Sequence, residues 1–104
     1  MNKYLIAYEL KGVDKNSYAG LYEAIKGISG LWWHFLDSTW IIKNTSLTAN
    51  EIYERLKPHL NETVGDHVLV IKIDTTSKQG WLPVSAWHWL NDKGTPLTGT
   101  QGIG

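Results

Sequence analysis

The chain has 104 residues, no cysteine, and ten basic against ten acidic side chains. This length predicts one domain with a single hydrophobic core. The lack of cysteine excludes disulfides, thiolate catalysis and cysteine-ligated metals. The charge is balanced and Arg55 is the only arginine, so the composition does not indicate long nucleic acid as a partner. No apolar run reaches the roughly 20 residues of a membrane span, and the amino terminus lacks a signal-peptide pattern, so the expected location is the cytoplasm.

The first half of the chain predicts a strand, a helix and a hairpin. Residues 4–8 are continuously apolar and predict the first strand. Apolar residues at helical spacing predict a helix over about residues 17–28, with Asn16 or Ser17 as its cap. The stretch over residues 31–42 reads LWWHFLDSTWII and predicts two strands joined by a tight turn.

The second half predicts a helix, a strand and a short aromatic helix. Thr48 and Glu51 form a capping-box pattern at the start of a helix over about residues 49–60. Residues 67–74 predict the fourth strand, and residues 85–91 a short helix. The tail, residues 92–104, contains four glycines and three threonines with little to bury, so we expect it to be flexible. The folded domain is accordingly expected to span residues 1–91.

The order strand, helix, strand, strand, helix, strand predicts an α+β fold of the ferredoxin-like βαββαβ type. Its four-stranded antiparallel sheet would carry two helices on one face. Alternation along the second strand separates Leu31, Trp33 and Phe35 from Trp32 and His34. We expect the Trp33 set to meet the helices and the Trp32 set to lie on the opposite face.

The opposite face of the sheet would also be apolar and would need a cover. The candidates are the aromatic segment over residues 81–90, a ligand, or a second subunit. A homodimer formed through the sheet or its edges is the most economical of the three.

Four stretches of the sequence resemble a known group of proteins. They are KYLIAYEL, WWHFLDSTWII, ANEIYERLKPHL and DHVLVIKID, which together span roughly residues 3–74. With them the chain resembles the SinR-like small bacterial proteins. More distantly, it is similar to the small ferredoxin-fold CRISPR adaptation subunit and the virulence-associated protein D ribonucleases. The resemblance implies a homodimer with a phosphodiester-related role. It also implies an acidic metal ligand at Glu9, where the relatives usually carry aspartate.

Glu9 is the candidate catalytic and metal-binding residue. Two copies facing each other across a dimer axis would hold Mg²⁺ or Mn²⁺ and activate water for phosphodiester hydrolysis. The alternative is a solvated carboxylate at the end of a strand. The sequence does not decide whether the protein is an enzyme.

Six residues are candidate ligand contacts. Trp32 and Trp40 would stack on a base, His34 would stack or transfer a proton, and the polar groups of the others would bind a phosphate or base edge. Packing in the core or in a dimer is the more common use of such indoles. A hydrogen bond to the neighbouring backbone or to Asp37 is the alternative for His34, and turn chemistry explains the other polar residues equally well. The six residues are Tyr8, Trp32, His34, Asp37, Ser38 and Trp40.

Three functions follow from these residues. The leading hypothesis is a homodimer that recognises a nucleotide or short nucleic acid through an aromatic dimer surface. The first alternative is a metal-dependent phosphodiesterase or endoribonuclease centred on Glu9. The second is a non-catalytic protein-interaction module.

Overall fold

The structure is a computed structural model that describes residues 2–12 and 18–91, together with the backbone of residues 102–103. It confirms the α+β class, with a four-stranded antiparallel sheet, three helices and a short added strand. In chain order the elements are β1 (Asn2–Glu9), α1 (Ala19–Lys26), β2 (Leu31–Leu36), β3 (Thr39–Thr45), α2 (Ala49–Leu56), β4 (His67–Lys72), α3 (Val84–Asn91) and β5 (Gly102–Ile103).

The sheet has the strand order β4-β1-β3-β2-β5. Strand β1 pairs antiparallel with both β3 and β4, and β2 pairs antiparallel with β3. Strand β5 runs parallel to β2 at the edge opposite β4. Most of the tail predicted to be flexible lies outside the described residues, and the two that are described within it form β5.

The helices begin and end close to where the sequence predicts. Helix α2 has the predicted capping box, since Thr48 and Glu51 each accept from the other's backbone amide. It ends at Leu56, four residues before the predicted end, where a 3-10 turn over Lys57–His59 follows. Pro58 in that turn has no amide hydrogen to continue the α-helical bonds. The caps predicted for α1 lie outside the described residues.

Two hydrophobic cores form, one on each face of the sheet. Helices α1 and α2 cover one face and bury Ile6 and Ile42 among their apolar side chains. Helix α3 covers the β2 end of the other face, where Trp33 packs with Trp89 and Leu90. The aromatic segment near the carboxyl end therefore covers part of the second face. It was one of the three covers that the sequence suggested.

The assignment of tryptophans to faces is opposite to the prediction. Trp33 lies under α3, whereas Trp32 and Trp40 lie in the core beneath α1 and α2. Alternation separates the two sets correctly, but it does not say which set meets which helices. Strand pairing decides this, because Ile42 is the neighbour of both Tyr4 and Trp32 and so fixes them to one face.

Part of the second face has no cover among the described residues. On β1 and β4, Leu5 pairs with Ile71 and Ala7 with Leu69, so these four side chains share that face. Ile71 is 48% exposed and Leu69 56%. None of the helices in the described part of the chain is long and apolar enough to cross a membrane.

Candidate functional site

A cleft opens where β1 ends, between α1 and the turn that joins β2 to β3. Its volume is about 570 Å³. The amide of Tyr8 donates to the carbonyl of Ser38 over 3.0 Å, and this bond fastens the turn to β1. The cleft therefore lies between elements that the sheet holds in place. Its lining residues are Tyr8, Glu9, Leu10, Tyr22, Asp37 and Ser38.

The Tyr8 hydroxyl is fixed by two hydrogen bonds. It accepts from the Trp40 indole N–H over 2.8 Å and donates to the Asp37 carbonyl over 3.2 Å. Burial raises the pKa of Tyr8 to about 12, and the N–H of Trp40 opposes this shift only in part. Tyr8 is therefore a neutral, oriented hydroxyl in the cleft wall at ordinary pH.

His34 supports the turn and is not a lining residue of the cleft. Its ring stacks on Trp40 with centroids 3.8 Å apart and planes 12° apart, and its Nε2 lies 3.0 Å from the Asp37 carbonyl. An imidazole that carries its proton on Nε2 donates to this carbonyl. This is the backbone-bonded histidine that the sequence left as the alternative to a general acid or base.

Trp40 is not accessible for stacking on a base. Its side chain is 1% exposed, because Tyr22, Trp32 and His34 all pack against its ring. The predicted stacking role of Trp40 is wrong for this reason, and its indole instead orients the hydroxyl of Tyr8.

Trp32 lies away from the cleft lining. Its ring centroid is 5.3 Å from that of Trp40, and the Lys26 ammonium lies 5.0 Å from the Trp32 ring centroid. Trp32 thus packs α1 onto the sheet, and part of its ring is covered by a cation.

Tyr22 is a lining residue that the sequence did not single out. It lies on α1, and its ring centroid is 6.3 Å from that of Tyr8 and 6.2 Å from that of Trp40. Helical spacing indicated only that Tyr22 belongs to the buried stripe of α1. Its position beside the cleft depends on how α1 docks on β1, and a single sequence gives no signal for that.

Glu9 is exposed at the rim of the cleft and forms an ion pair with Lys11. The hydrogen bond and positive charge of Lys11 hold the pKa of Glu9 below its usual value. The described residues contain no group of three or more histidine, aspartate or glutamate side chains placed to hold a metal ion. The metal-binding role of Glu9 therefore stays a prediction.

Among the described residues, the cleft is lined by two acidic residues, Glu9 and Asp37, and by no lysine or arginine. Its other polar groups are the hydroxyls of Tyr8, Tyr22 and Ser38. Such a lining accepts hydrogen bonds from amino groups and is unfavourable for a phosphate placed inside it.

The buried hydroxyl of Tyr8 predicts a loss of stability at alkaline pH. The pKa of Tyr8 in the folded protein is about 12, against 10.0 for an unperturbed tyrosine. Its contribution is therefore complete below pH 10 and is lost as the pH rises toward 12. The pKa of Tyr18 is also raised, by burial and by its hydrogen bond to Asp66. Near-ultraviolet absorbance should therefore show more than one tyrosine that ionises later than the exposed ones, and Tyr8→Phe should remove one of them. A titration identical in the two proteins would contradict this assignment.

No family model, curated protein or solved structure matches the chain. The resemblance to the SinR-like proteins therefore stays a prediction. The geometry of the cleft is the basis for inferring a function.

Proposed function

We propose that the protein is a nucleotide-binding module that holds a base in the cleft between β1, α1 and the β2–β3 turn. The observation that carries this proposal is the lining itself. The lining combines two aromatic residues, Tyr8 and Tyr22, with the oxygen-bearing residues Glu9, Asp37 and Ser38. A planar ring with amino groups at its edge is the chemical class that such a lining complements.

The size of the cleft suits this ligand. Sites for small molecules usually measure about 300–1,000 Å³, and the cleft measures about 570 Å³. An aromatic side chain that stacks on a base contributes about 1–3 kcal/mol. Tyr22 is half-buried, so its ring is already ordered and little side-chain freedom remains to be lost on binding.

The charge of the lining predicts which part of the ligand lies inside. Carboxylates accept hydrogen bonds from the amino groups of cytosine and adenine, whereas thymine and uracil have no exocyclic amino group. Lys11, which is paired with Glu9 at the rim, is placed to meet a phosphate outside the cleft. The proposal therefore favours an amino-bearing base over a phosphate as the recognised group.

The proposal extends to the fold family and the assembly. The units β1-α1-β2 and β3-α2-β4, with β1 and β3 adjacent at the centre of the sheet, support a ferredoxin-like arrangement. We propose a homodimer of this fold in the cytoplasm, related to the SinR-like proteins. The aromatic dimer surface expected from the sequence is replaced here by the cleft, because Trp40 is buried in its own chain.

Metal-dependent phosphodiester cleavage is the second candidate. Glu9 and Asp37 line the same cleft, so two carboxylates are available beside a bound nucleotide. Cleavage of RNA that requires Mg²⁺ or Mn²⁺ and is abolished by Glu9→Gln would establish this activity. Cleavage unchanged in Glu9→Gln would exclude Glu9 from the chemistry.

Titration of the protein with mononucleotides tests the binding proposal. We expect saturable quenching of tryptophan fluorescence that is stronger for cytidine and adenosine monophosphates than for uridine monophosphate. Tyr22→Ala should weaken binding by roughly tenfold or more, because the stacking contact is lost. The matched control is Tyr53→Ala, since Tyr53 is a half-buried tyrosine on α2 outside the cleft lining. No response to any nucleotide would contradict the proposal. If no cleavage is found either, a protein-interaction module is the surviving function.

A further inference from the structure

Strand β4 is an edge of the sheet, and one side of its backbone has no strand partner in the described part of the chain. The sheet order places β1 on one side of β4 and no described strand on the other. The amide of Ile73 donates to the carbonyl of Lys3 over 3.0 Å. Since bonded pairs alternate along an antiparallel ladder, Leu69 and Ile71 also direct their backbone groups toward β1. Val68, Val70 and Lys72 therefore direct theirs toward the open edge.

The side chains next to this edge are apolar. Leu69 and Ile71 are about half exposed on the face that α3 leaves uncovered, and Leu5 and Ala7 adjoin them on β1. An exposed edge strand with apolar side chains is a template for pairing with another strand. Charged side chains or proline protect most edge strands from pairing with another chain. In β4 the only side chain that is always ionised is Lys72, the last residue of the strand.

The described strand of the tail, β5, pairs at the opposite edge. The chain on either side of residues 92–101 belongs to α3 and β5, and both of these elements contact β2. Strand β2 is separated from β4 by β3 and β1. Strand β5 therefore does not cover the β4 edge of its own copy.

We infer that β4 pairs antiparallel with β4 of a second copy, about a two-fold axis that passes through Val70. In this register Val70 lies opposite Val70 of the second copy, and Val68 lies opposite Lys72. All three edge-directed residues then form hydrogen-bonded pairs, which gives roughly six backbone bonds between the copies. The inference specifies the interface of the homodimer in the proposed function and does not depend on the ligand.

The same register makes the exposed face self-complementary. Leu69 of each copy lies opposite Ile71 of the other, so four half-exposed apolar side chains meet beside the axis. Within β4 no two like charges are placed opposite each other, because Lys72 meets Val68 and His67 meets Ile73. The two sheets become one continuous sheet, and neither copy keeps an exposed β4 edge.

Charge substitution at the interface tests the pairing. We expect the wild-type protein to sediment as a dimer, and the double variant Leu69→Lys/Ile71→Lys to sediment as a monomer, because lysines would face lysines across the axis. Leu69→Glu/Ile71→Glu should also be monomeric. An equimolar mixture of the two variants should form a dimer, because each lysine then meets a glutamate. Val64→Lys, which adds a charge at an exposed apolar residue outside β4, should remain a dimer.

Cysteine substitution tests the register. The chain has no cysteine of its own, so a single introduced thiol can cross-link only to its copy. Opposed residues in a hydrogen-bonded pair have Cα atoms about 5.5 Å apart, within the range that a disulfide spans. Under mild oxidation Val70→Cys should cross-link fully, and Leu69→Cys, which is diagonal to its copy, should not.

Three results would overturn the inference. They are a monomeric wild-type protein at every concentration, a lysine double variant that remains dimeric, or cross-linking through Leu69→Cys but not Val70→Cys. Circular dichroism of each variant separates dissociation from unfolding. Nucleotide binding tests the proposed function separately from the interface. Leu69 and Ile71 do not line the cleft, so the monomeric variants should still bind nucleotide. A dimer that binds no nucleotide would leave the interface standing and contradict the function alone.

Discussion

Asp66→Ala is expected to lower the free energy of unfolding by about 3 kcal/mol or more, because it leaves several buried donors without an acceptor. The carboxylate is buried, and it accepts from the backbone amides of Lys11 and Asn61, each over 2.8 Å. It also accepts from the hydroxyl of Tyr18 over 2.9 Å. Asp66 thus joins the chain after β1, the start of α1 and the approach to β4.

Chemical denaturation measures this effect. A domain of this size has a total stability of about 5–15 kcal/mol, so the loss should move the midpoint strongly. Asp66→Asn should be less damaging than Asp66→Ala, because one acceptor oxygen remains. Asp74→Ala is the matched control: Asp74 is exposed and its carboxylate accepts from the amide of Thr76. A control loss equal to that of Asp66→Ala would show that burial of the Asp66 network is not the cause.

Lys43→Met should loosen α3 from the sheet. The Lys43 side chain is buried beneath this helix, and its ammonium donates to the carbonyl of Trp89 over 2.6 Å. The same ammonium lies 4.1 Å from the centroid of the Trp89 ring. It thereby meets one of the last four carbonyls of α3, where a positive charge is favourable. A hydrogen bond to a charged group contributes about 1.5–3 kcal/mol, and we expect a loss of that order.

Hydrogen exchange separates this local effect from global destabilisation. In Lys43→Met the amides of α3 should exchange faster, while those of α2 keep most of their protection. The control is Lys57→Met, because Lys57 is exposed in the 3-10 turn and should change stability by less than about 0.5 kcal/mol. Unchanged exchange in α3 would contradict the role of Lys43. The indole N–H groups of Trp33 and Trp89 have no hydrogen-bond partner among the described residues. The Lys43 ammonium is therefore the main polar group that attaches α3 to the sheet.

Local patterns were sufficient to predict most of the elements. The capping box of Thr48 and Glu51 located the start of α2, and the continuous apolar run located β1. The end of α2 was predicted less well, because the apolar stripe continues to Leu60 after the chain has tightened around Pro58. These elements are encoded by residues close together in the chain.

The face assignment failed because it depends on pairing between distant strands. Both faces of β2 are apolar, so alternation alone fits either orientation. The orientation is set by β3, whose Ile42 and Trp40 join the face of Tyr4 and Ile6 on β1. The same limit explains the missed network of Asp66, whose donors lie up to 55 residues away in sequence.

The cleft was predicted in part. Tyr8, Asp37 and Ser38 were selected as ligand contacts and Glu9 as a metal ligand, and all four line one cleft. The strand end and the hairpin turn that supply them are adjacent because β1 pairs with β3. Tyr22 and Leu10 were missed, since their place in the lining depends on how α1 docks against the end of β1. The roles of these residues in binding remain predictions.

Amide chemical shifts recorded during a titration with cytidine monophosphate test the central proposal most directly. We expect saturable shifts of the amides of Glu9, Leu10 and Ser38, which lie on both walls of the cleft, and little change in the amides of α3. Tyr22→Ala should reduce these shifts at the same nucleotide concentration. Saturable shifts confined to α3 or to the loop around Trp81, or none anywhere, would contradict nucleotide binding in this cleft.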